Sequence, residues 1–446
     1  MTPKFIIGIR REDKNPWERR APLIPEHVAG LVKDRKIGVL VQKSDLRAVK
    51  EEEYLRAGAK MTEDLSACDI VFAIKEIPAG LLQKGKTYIF FSHTIKGQAR
   101  NMPMLRRLME LGCQLIDYEK MADEKGRRLV FFGKYAGLAG MIDALWALGQ
   151  RLDWERISNP FSAIRRALDY ASLADAESAL AEAGKKLASG GLSEALAPLV
   201  IGITGYGHVS QGAQRILRNF PVEELRPGEL EALLRKPAGT GLNNRVFKTV
   251  FREEDMAEPV SPGDRFDLQD YYAHPEKYRS RFERYIPHLT VLMNCIYWDG
   301  RYPRLVTKNF LKQLYGSTPG PRLRVIGDIS CDANGSIECN ARTMDIGNPV
   351  FVYDPLTESA KDGCRGTGPV VLAVDNLPAE LPLESSREFS EALLPFVAEI
   401  AKADLSVKFE NCGLSEPIKK AVIVYKGELT PGYRYLEKFL KRKAGK

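Results

Sequence analysis

The chain has 446 residues, 44% of them hydrophobic and 28% charged, an ordinary globular composition with room for two or three domains of ~150 residues. Its net charge of +8 is spread along the whole length, without the basic block or aromatic-interleaved stripe of a nucleic-acid binder, and a mildly positive surface suits small anions. Seven widely spaced cysteines include no C-x-x-C pair, which argues against a zinc ribbon or dithiol motif and for reduced thiols in a cytoplasm-like compartment.

The first ten residues are too short an apolar run for a signal peptide, and no stretch of ~20 apolar residues follows. Tyr135 to Leu148 comes nearest and is broken by Asp143, so a soluble protein without a membrane partner is expected. Phe5–Ile9 reads as a strand. A charged segment from Arg10 to Arg20 follows, and past Pro22 and Pro25 a helix begins at Glu26. Further strands are predicted at Gly38–Gln42, Asp69–Ile74, Thr87–Phe91 and Gln114–Tyr118, with a helix over Met102–Leu111. This alternation predicts a parallel sheet flanked by helices, with ligands beyond the carboxyl ends of its strands. Lys75, His93 and Glu119 all fall at such ends. Helices with core-packing stripes are predicted over 135–152 and about 173–187, with Gly190-Gly191 stopping the second. The polar stretch Asp153–Pro160 reads as a hinge.

Leu199–Thr204 reads as a buried strand, and the run Gly205-Tyr206-Gly207-His208-Val209-Ser210-Gln211-Gly212 leads from it into a helix. Gly-x-Gly between a strand and a helix is the setting of dinucleotide binding. Gly205 permits the tight turn and Gly207 lets a pyrophosphate approach the backbone. The helix N-terminus at His208, Val209 and Ser210 then offers N–H groups and a positive dipole end. Ser210 stands where the pattern asks for Gly or Ala, and Gly212 is the alternative source of close helix packing. The next strand, Pro221–Leu225, ends at Arg226. An acid there would bind the ribose 2′-hydroxyl of NADH, and an arginine the 2′-phosphate of NADPH. Arg226 therefore favours NADPH over NADH, with Glu223 or Glu224 taking the acidic role if the register slips. Residues 235–285, polar and rich in charge and proline, read as an insertion carrying long loops. Strands resume at Leu289–Ile296 and Leu323–Ile329.

Several phrases together point further. They are Trp17-Glu18-Arg19-Arg20-Ala21-Pro22, Phe90-Phe91-Ser92-His93-Thr94-Ile95-Lys96, Asp117-Tyr118-Glu119-Lys120-Met121 and Tyr135-Ala136-Gly137-Leu138-Ala139-Gly140-Met141. Asn294-Cys295-Ile296-Tyr297-Trp298, Asp328-Ile329-Ser330-Cys331-Asp332 and Val374-Asp375-Asn376-Leu377-Pro378-Ala379 continue the series. In this order they resemble the alanine dehydrogenase and saccharopine dehydrogenase group. Within it the chain is most similar to the lysine–ketoglutarate reductase portion of aminoadipic semialdehyde synthase, over nearly its whole length.

The resemblance implies an α/β fold of two Rossmann-like parallel-sheet domains with a cleft between them. Residues 1–140 plus 376–446 would form the substrate domain, and 141–375, with the 235–285 insertion, the dinucleotide domain. It implies an enzyme of lysine degradation that condenses the lysine ε-amine with the ketone of 2-oxoglutarate and reduces the imine with NADPH, giving saccharopine. Lys75 and His93 correspond to the acid–base pair and Glu119 to an acid that modulates it. Arg20 and Arg128 correspond to carboxylate holders, with Arg19 and Arg127 as one-residue alternatives. Phe132 would be an apolar wall, and Asp375 would lie at the nicotinamide or the amine substrate. No metal is implied. The chain has no second nucleotide fingerprint, so a separate glutamate-forming saccharopine dehydrogenase is the expected partner. The expected compartment is the cytoplasm, or the mitochondrial matrix for a processed eukaryotic chain. Two other readings compete: an alanine dehydrogenase-like or other opine-forming amino-acid dehydrogenase, and a dinucleotide-binding sensor without catalysis.

Overall fold

A computed structural model describes residues 5–237, 241–318 and 320–441. Residues 1–4 and 442–446, which the N-terminal and C-terminal readings above touch, lie outside the described residues. Packing divides the chain into two α/β units, Met1–Phe132 with Pro382–Lys446, and Gly133–Leu381.

The first unit opens with β1 (Phe5–Ile9), α1 (Pro25–Lys33), β2 (Ile37–Gln42), α2 (Glu51–Arg56) and β3 (Lys60–Thr62). It continues with β4 (Ile70–Phe72), β5 (Thr87–Phe90), α3 (Met102–Glu110) and β6 (Gln114–Asp117). These strands are parallel in the order β6-β5-β4-β1-β2-β3. Every residue of β4, β5 and β6 is buried, as expected for strands covered on both faces. Because the strands run the same way, the loops after β1, β4, β5 and β6 leave from one edge of the sheet.

The second unit begins with α4 (Gly133–Trp154), α5 (Leu173–Gly190), β7 (Leu199–Thr204), α6 (His208–Leu217), β8 (Val222–Glu224), α7 (Leu230–Leu234) and β9 (Val246–Phe251). Then come α8 (Glu253–Met256), β10 (Ala257–Pro259), α9 (Leu268–Ala273), β11 (Tyr278–Ser280), β12 (Val291–Asn294), α10 (Lys308–Ser317) and β13 (Val325–Asp328). β14 (Val350–Asp354), β15 (Ser359–Asp362) and β16 (Val370–Leu372) complete the sheet, ordered β15-β14-β16-β13-β12-β7-β9-β8. It is parallel except at β14 and β15.

Three sequence expectations change here. α4 runs unbroken from Gly133, so the division of the chain falls at its start and not at residue 140. The stretch 153–160 lies inside the second unit and is tied down, Asp153 accepting from the Asn159 amide at 3.0 Å and the Ser162 hydroxyl at 2.6 Å, so it is no hinge between the units. The region 235–285 is not a loop insertion. It contributes β9, a sheet strand paired with both β7 and β8, and the β10–β11 hairpin. Charged neighbours such as Arg245 beside it and Lys248 within it conceal β9 in the sequence, although Val246, Phe247 and Phe251 are buried.

The chain then returns to the first unit with α11 (Pro382–Lys402), β17 (Val422–Tyr425) and β18 (Glu428–Leu429). β17 pairs antiparallel with β6. The hydroxyls of Ser386 and Ser390 on α11 accept from the backbone N–H of Ala21 at 2.9 Å and Ile24 at 3.0 Å, fixing the loop after β1. No helix among the described residues is long and apolar enough to cross a membrane.

Candidate active site

The sheet order places the ends of β6, β5, β4 and β1 side by side, which gathers Glu119, His93, Lys75 and Glu12. Glu76, next to Lys75, bridges two of these loops. One of its carboxylate oxygens meets His93 Nδ1 at 2.7 Å and the other accepts from Lys14 Nζ at 2.7 Å. Burial opposes the Glu76 charge, but hydrogen bonds and charge from His93 and Lys14 hold it well below the usual carboxylate range. Lys75 is partly buried, and burial, with the nearby Arg20 cation, lowers its pKa. His93 itself adopts φ +47°. Its backbone oxygen accepts from the Asn101 amide at 3.0 Å. Its flank is pinned by Asp117, which accepts from the Ser92 N–H at 3.1 Å and the Ser92 hydroxyl at 2.5 Å. Burial pushes the Asp117 carboxyl up to about 6.

The two arginines expected to hold carboxylates already hold carboxylates of the protein. Arg20 donates from Nε and Nη2 to both oxygens of Glu18, at 2.7 and 2.6 Å, and both residues are buried. Arg128, more exposed, donates to Glu119 at 2.7 Å. Phe132 lies under the Arg20 guanidinium at 4.2 Å and stacks on Phe389 of α11 at 4.4 Å between ring centres. Phe132 thus forms an apolar floor beneath Arg20. Glu12, Glu18, Glu76 and Phe389 were not singled out from the sequence. Glu18 sits within a quoted phrase and Glu76 directly follows Lys75, and the spacing of acid and arginine at 18 and 20 was the available signal.

In the second unit Gly205 has φ +79°, the left-handed conformation a turn at this point requires. A Cβ on Gly207 would meet no atom within 4 Å, so its backbone is open to a ligand. Gly207 is the N-cap of α6, and His208 is exposed. These residues fit a dinucleotide pyrophosphate. Ser210 does not, since it is fully buried and its hydroxyl accepts from Gln214 at 3.0 Å. Val209 packs by its carbonyl against Gly137 of α4, where a Cβ would lie 1.8 Å away. Gly212 supplies the close approach, with its own Cβ position 2.1 Å from the Lys134 carbonyl.

Arg226 is misplaced as a cofactor reader. It follows β8, an edge strand, while β7 is neighboured by β9; its side chain is 85% exposed and paired with Glu229 at 2.9 Å. The strand beside β7 ends at Phe251 and is followed by Arg252 and Glu253. Arg252 lies over the Tyr206 ring at 4.9 Å, directly beside the glycine turn. Glu253 accepts from the Tyr272 hydroxyl at 2.6 Å. Tyr206, Glu253, Tyr271, Tyr272 and residues 295–298 line a cavity of about 410 Å³ against Gly205 and Gly207. Asp375, exposed, follows β16 on the same carboxyl edge. A buried network makes that edge rigid. Asn294 donates to Asp328 at 2.8 Å and to Ser336 at 2.9 Å, and accepts from Thr204 at 2.9 Å, while Asn340 donates to Asp328 at 2.8 Å.

Residues 8–139 match the description "Alanine dehydrogenase/PNT, N-terminal domain" and residues 268–432 "Alanine dehydrogenase/PNT, C-terminal domain". Over 98% of its length the chain is 37% identical to the mitochondrial alpha-aminoadipic semialdehyde synthase of Mus musculus, of which it covers 48%. The chain thus spans about half the length of this relative. It is 26% identical, over 88% of the chain and 92% of the relative, to "Saccharopine dehydrogenase [NAD(+), L-lysine-forming]" of Emericella nidulans. Among solved structures an L-alanine dehydrogenase superposes with a TM-score of 0.63 at 18% identity, covering 98% of this chain and 100% of the other, and so shares the fold.

Proposed function

The chain belongs to the alanine dehydrogenase/PNT family, and from that premise we propose that it is an oxidoreductase that reductively condenses L-lysine with 2-oxoglutarate, using NADPH, to give saccharopine. The relatives' names support the substrates. The observation that carries the chemistry is the juxtaposition of Lys75 and His93 at the ends of neighbouring strands, joined through Glu76.

Imine formation needs a base for the incoming ammonium and an acid for the departing hydroxyl. Lys75, whose pKa is lowered by burial and by the nearby Arg20 cation, takes the proton from the substrate ε-ammonium. His93 holds Nδ1 on Glu76, which leaves Nε2 to hand a proton to the hydroxyl. Arg20 and Arg128 take substrate carboxylates by exchanging their present partners, Glu18 and Glu119, for those of the substrate, since guanidinium forks bind carboxylates in fixed geometry. NADPH, when bound, supplies the hydride that reduces the imine. Gly205, Gly207 and the start of α6 would hold its pyrophosphate, and Asp375 would meet its nicotinamide or the amine substrate. Selection for the 2′-phosphate would fall to Arg252, a reading supported by its position just after the strand that pairs with β7. A reducing compartment, cytosol or mitochondrial matrix, suits seven cysteines none of which is disulfide-bonded.

The test is oxidation of NADPH on adding lysine and 2-oxoglutarate, with saccharopine identified by mass spectrometry and NADH run in parallel. Turnover with pyruvate and ammonia alone would replace this reading with that of an alanine dehydrogenase. Dinucleotide binding without turnover would replace it with that of a sensor.

A further inference from the structure

Glu12 takes no part in the proton transfers above, yet its carboxylate is one of the most constrained in the first unit. It leaves the end of β1, is only 6% exposed, and reaches to the end of β4. There one oxygen accepts from the Ile74 N–H at 2.6 Å and the other from the Lys75 N–H at 3.0 Å. Two consecutive peptide N–H groups are thus held by one side chain from a loop more than 60 residues earlier. Only an ionised carboxylate offers an acceptor to both; a carboxamide or a protonated acid turns a donor toward one of them. The charged and titratable groups around Glu12 are Glu18 and Arg10 on its own loop, Lys75 on the next, Arg47 after β2, and Tyr118 after β6.

We propose that Glu12 is the positioning residue for Lys75, its two carboxylate oxygens clamping the Ile74 and Lys75 amides and so fixing the direction in which the lysine amine leaves the strand. This rests on the reading of Lys75 as a proton carrier. Because burial and the neighbouring Glu18 charge bring the Glu12 carboxyl to about 7, the clamp is complete above neutrality and loosens as pH falls through that value.

Glu12→Gln keeps the shape of the side chain and removes one acceptor. With lysine and 2-oxoglutarate, kcat is expected to fall at least tenfold while the Kd for NADPH stays within twofold. The pH profile of kcat/KM is expected to show an acid-side ionisation near 7 in the wild type and to lose it in the variant. A second measurement needs no turnover: the pH dependence of Lys75 acetylation by acetic anhydride, followed by peptide mass spectrometry. In the variant the Lys75 pKa is expected to move up toward that of an ordinary lysine, because an amine no longer held in place is rewetted. If Glu12→Gln does not fold, Glu12→Asp, with its charge kept and its reach shortened, is measured the same way. An unchanged Lys75 titration in the folded variant overturns the proposal whatever the activity. A shifted titration in a protein whose wild type does not turn over these substrates discards the reaction and keeps the clamp.

Discussion

His93 sits in a backbone conformation uncommon for histidine, with φ +47°, and buried contacts on either side keep it there: Asp117 on Ser92, and Asn101 on the His93 carbonyl. Strain held this way aims a ring at a fixed place. Lys75→Met and His93→Gln are each expected to lower kcat by about 10²–10⁴, the usual worth of a general acid or base, with NADPH affinity unchanged by fluorescence titration. Arg252→Ala should raise the KM for NADPH by about 10-fold or more, the cost of one charge-assisted hydrogen bond, and leave that for NADH nearly constant. Glu76 makes a pH prediction. Its folded pKa lies below the unfolded value of ~4.3, so its pairing stabilises the fold above that value and the benefit is lost as pH falls through the folded pKa. Thermal melts from pH 5 to pH 2 should therefore fall more steeply for wild type than for Glu76→Gln. That Lys75, His93 and Glu119 follow strand ends was legible in the sequence, because a strand's end is a local property. Glu12, Glu18 and Glu76 were not, because what an acid meets depends on which distant loop the sheet brings to it.

Among the elements, the contact of α4 with α6 depends on absent side chains. At Gly212 a Cβ would stand 2.1 Å from the Lys134 carbonyl, and at Gly137 one would stand 1.8 Å from that of Val209. Backbone cannot yield as a flexible side chain can, so Gly212→Ala should cost about 1–3 kcal/mol in urea unfolding and weaken dinucleotide binding by shifting the start of α6. The strand–glycine–helix run was legible because its turn chemistry is local. The order of β8 and β9 was not. A chain reading places the next strand beside the last, whereas here β8 is laid at the edge and β9 fills the gap. Because of that exchange the strand beside β7 is followed by Arg252 and not by Arg226, and the charged flanks of β9 hid it among what reads as loop.

On the scale of the whole molecule, the first unit is assembled from both ends of the chain. α11 carries Phe389, fully buried, against Phe91, Tyr118 and Phe132, and its serines hold the loop that bears Arg20. Phe389→Ala should destabilise this unit by about 3–5 kcal/mol, read as an earlier urea transition in the fluorescence of Trp17. The α/β character follows from alternating strands and helices and was legible on that ground, whereas the two-domain plan was implied by the resemblance. Which part of the C-terminal segment closes the first sheet could not be read, since β17 joins β6 antiparallel from about 300 residues away.

That late arrival has a bearing on biosynthesis. A nascent chain leaving the ribosome exposes the outer rim of β6, with its unpaired amides and carbonyls, through translation of the entire second unit, and a bare rim of this sort recruits stray strands. Until Val422 emerges to cover it, the growing polypeptide depends on chaperones or on speed.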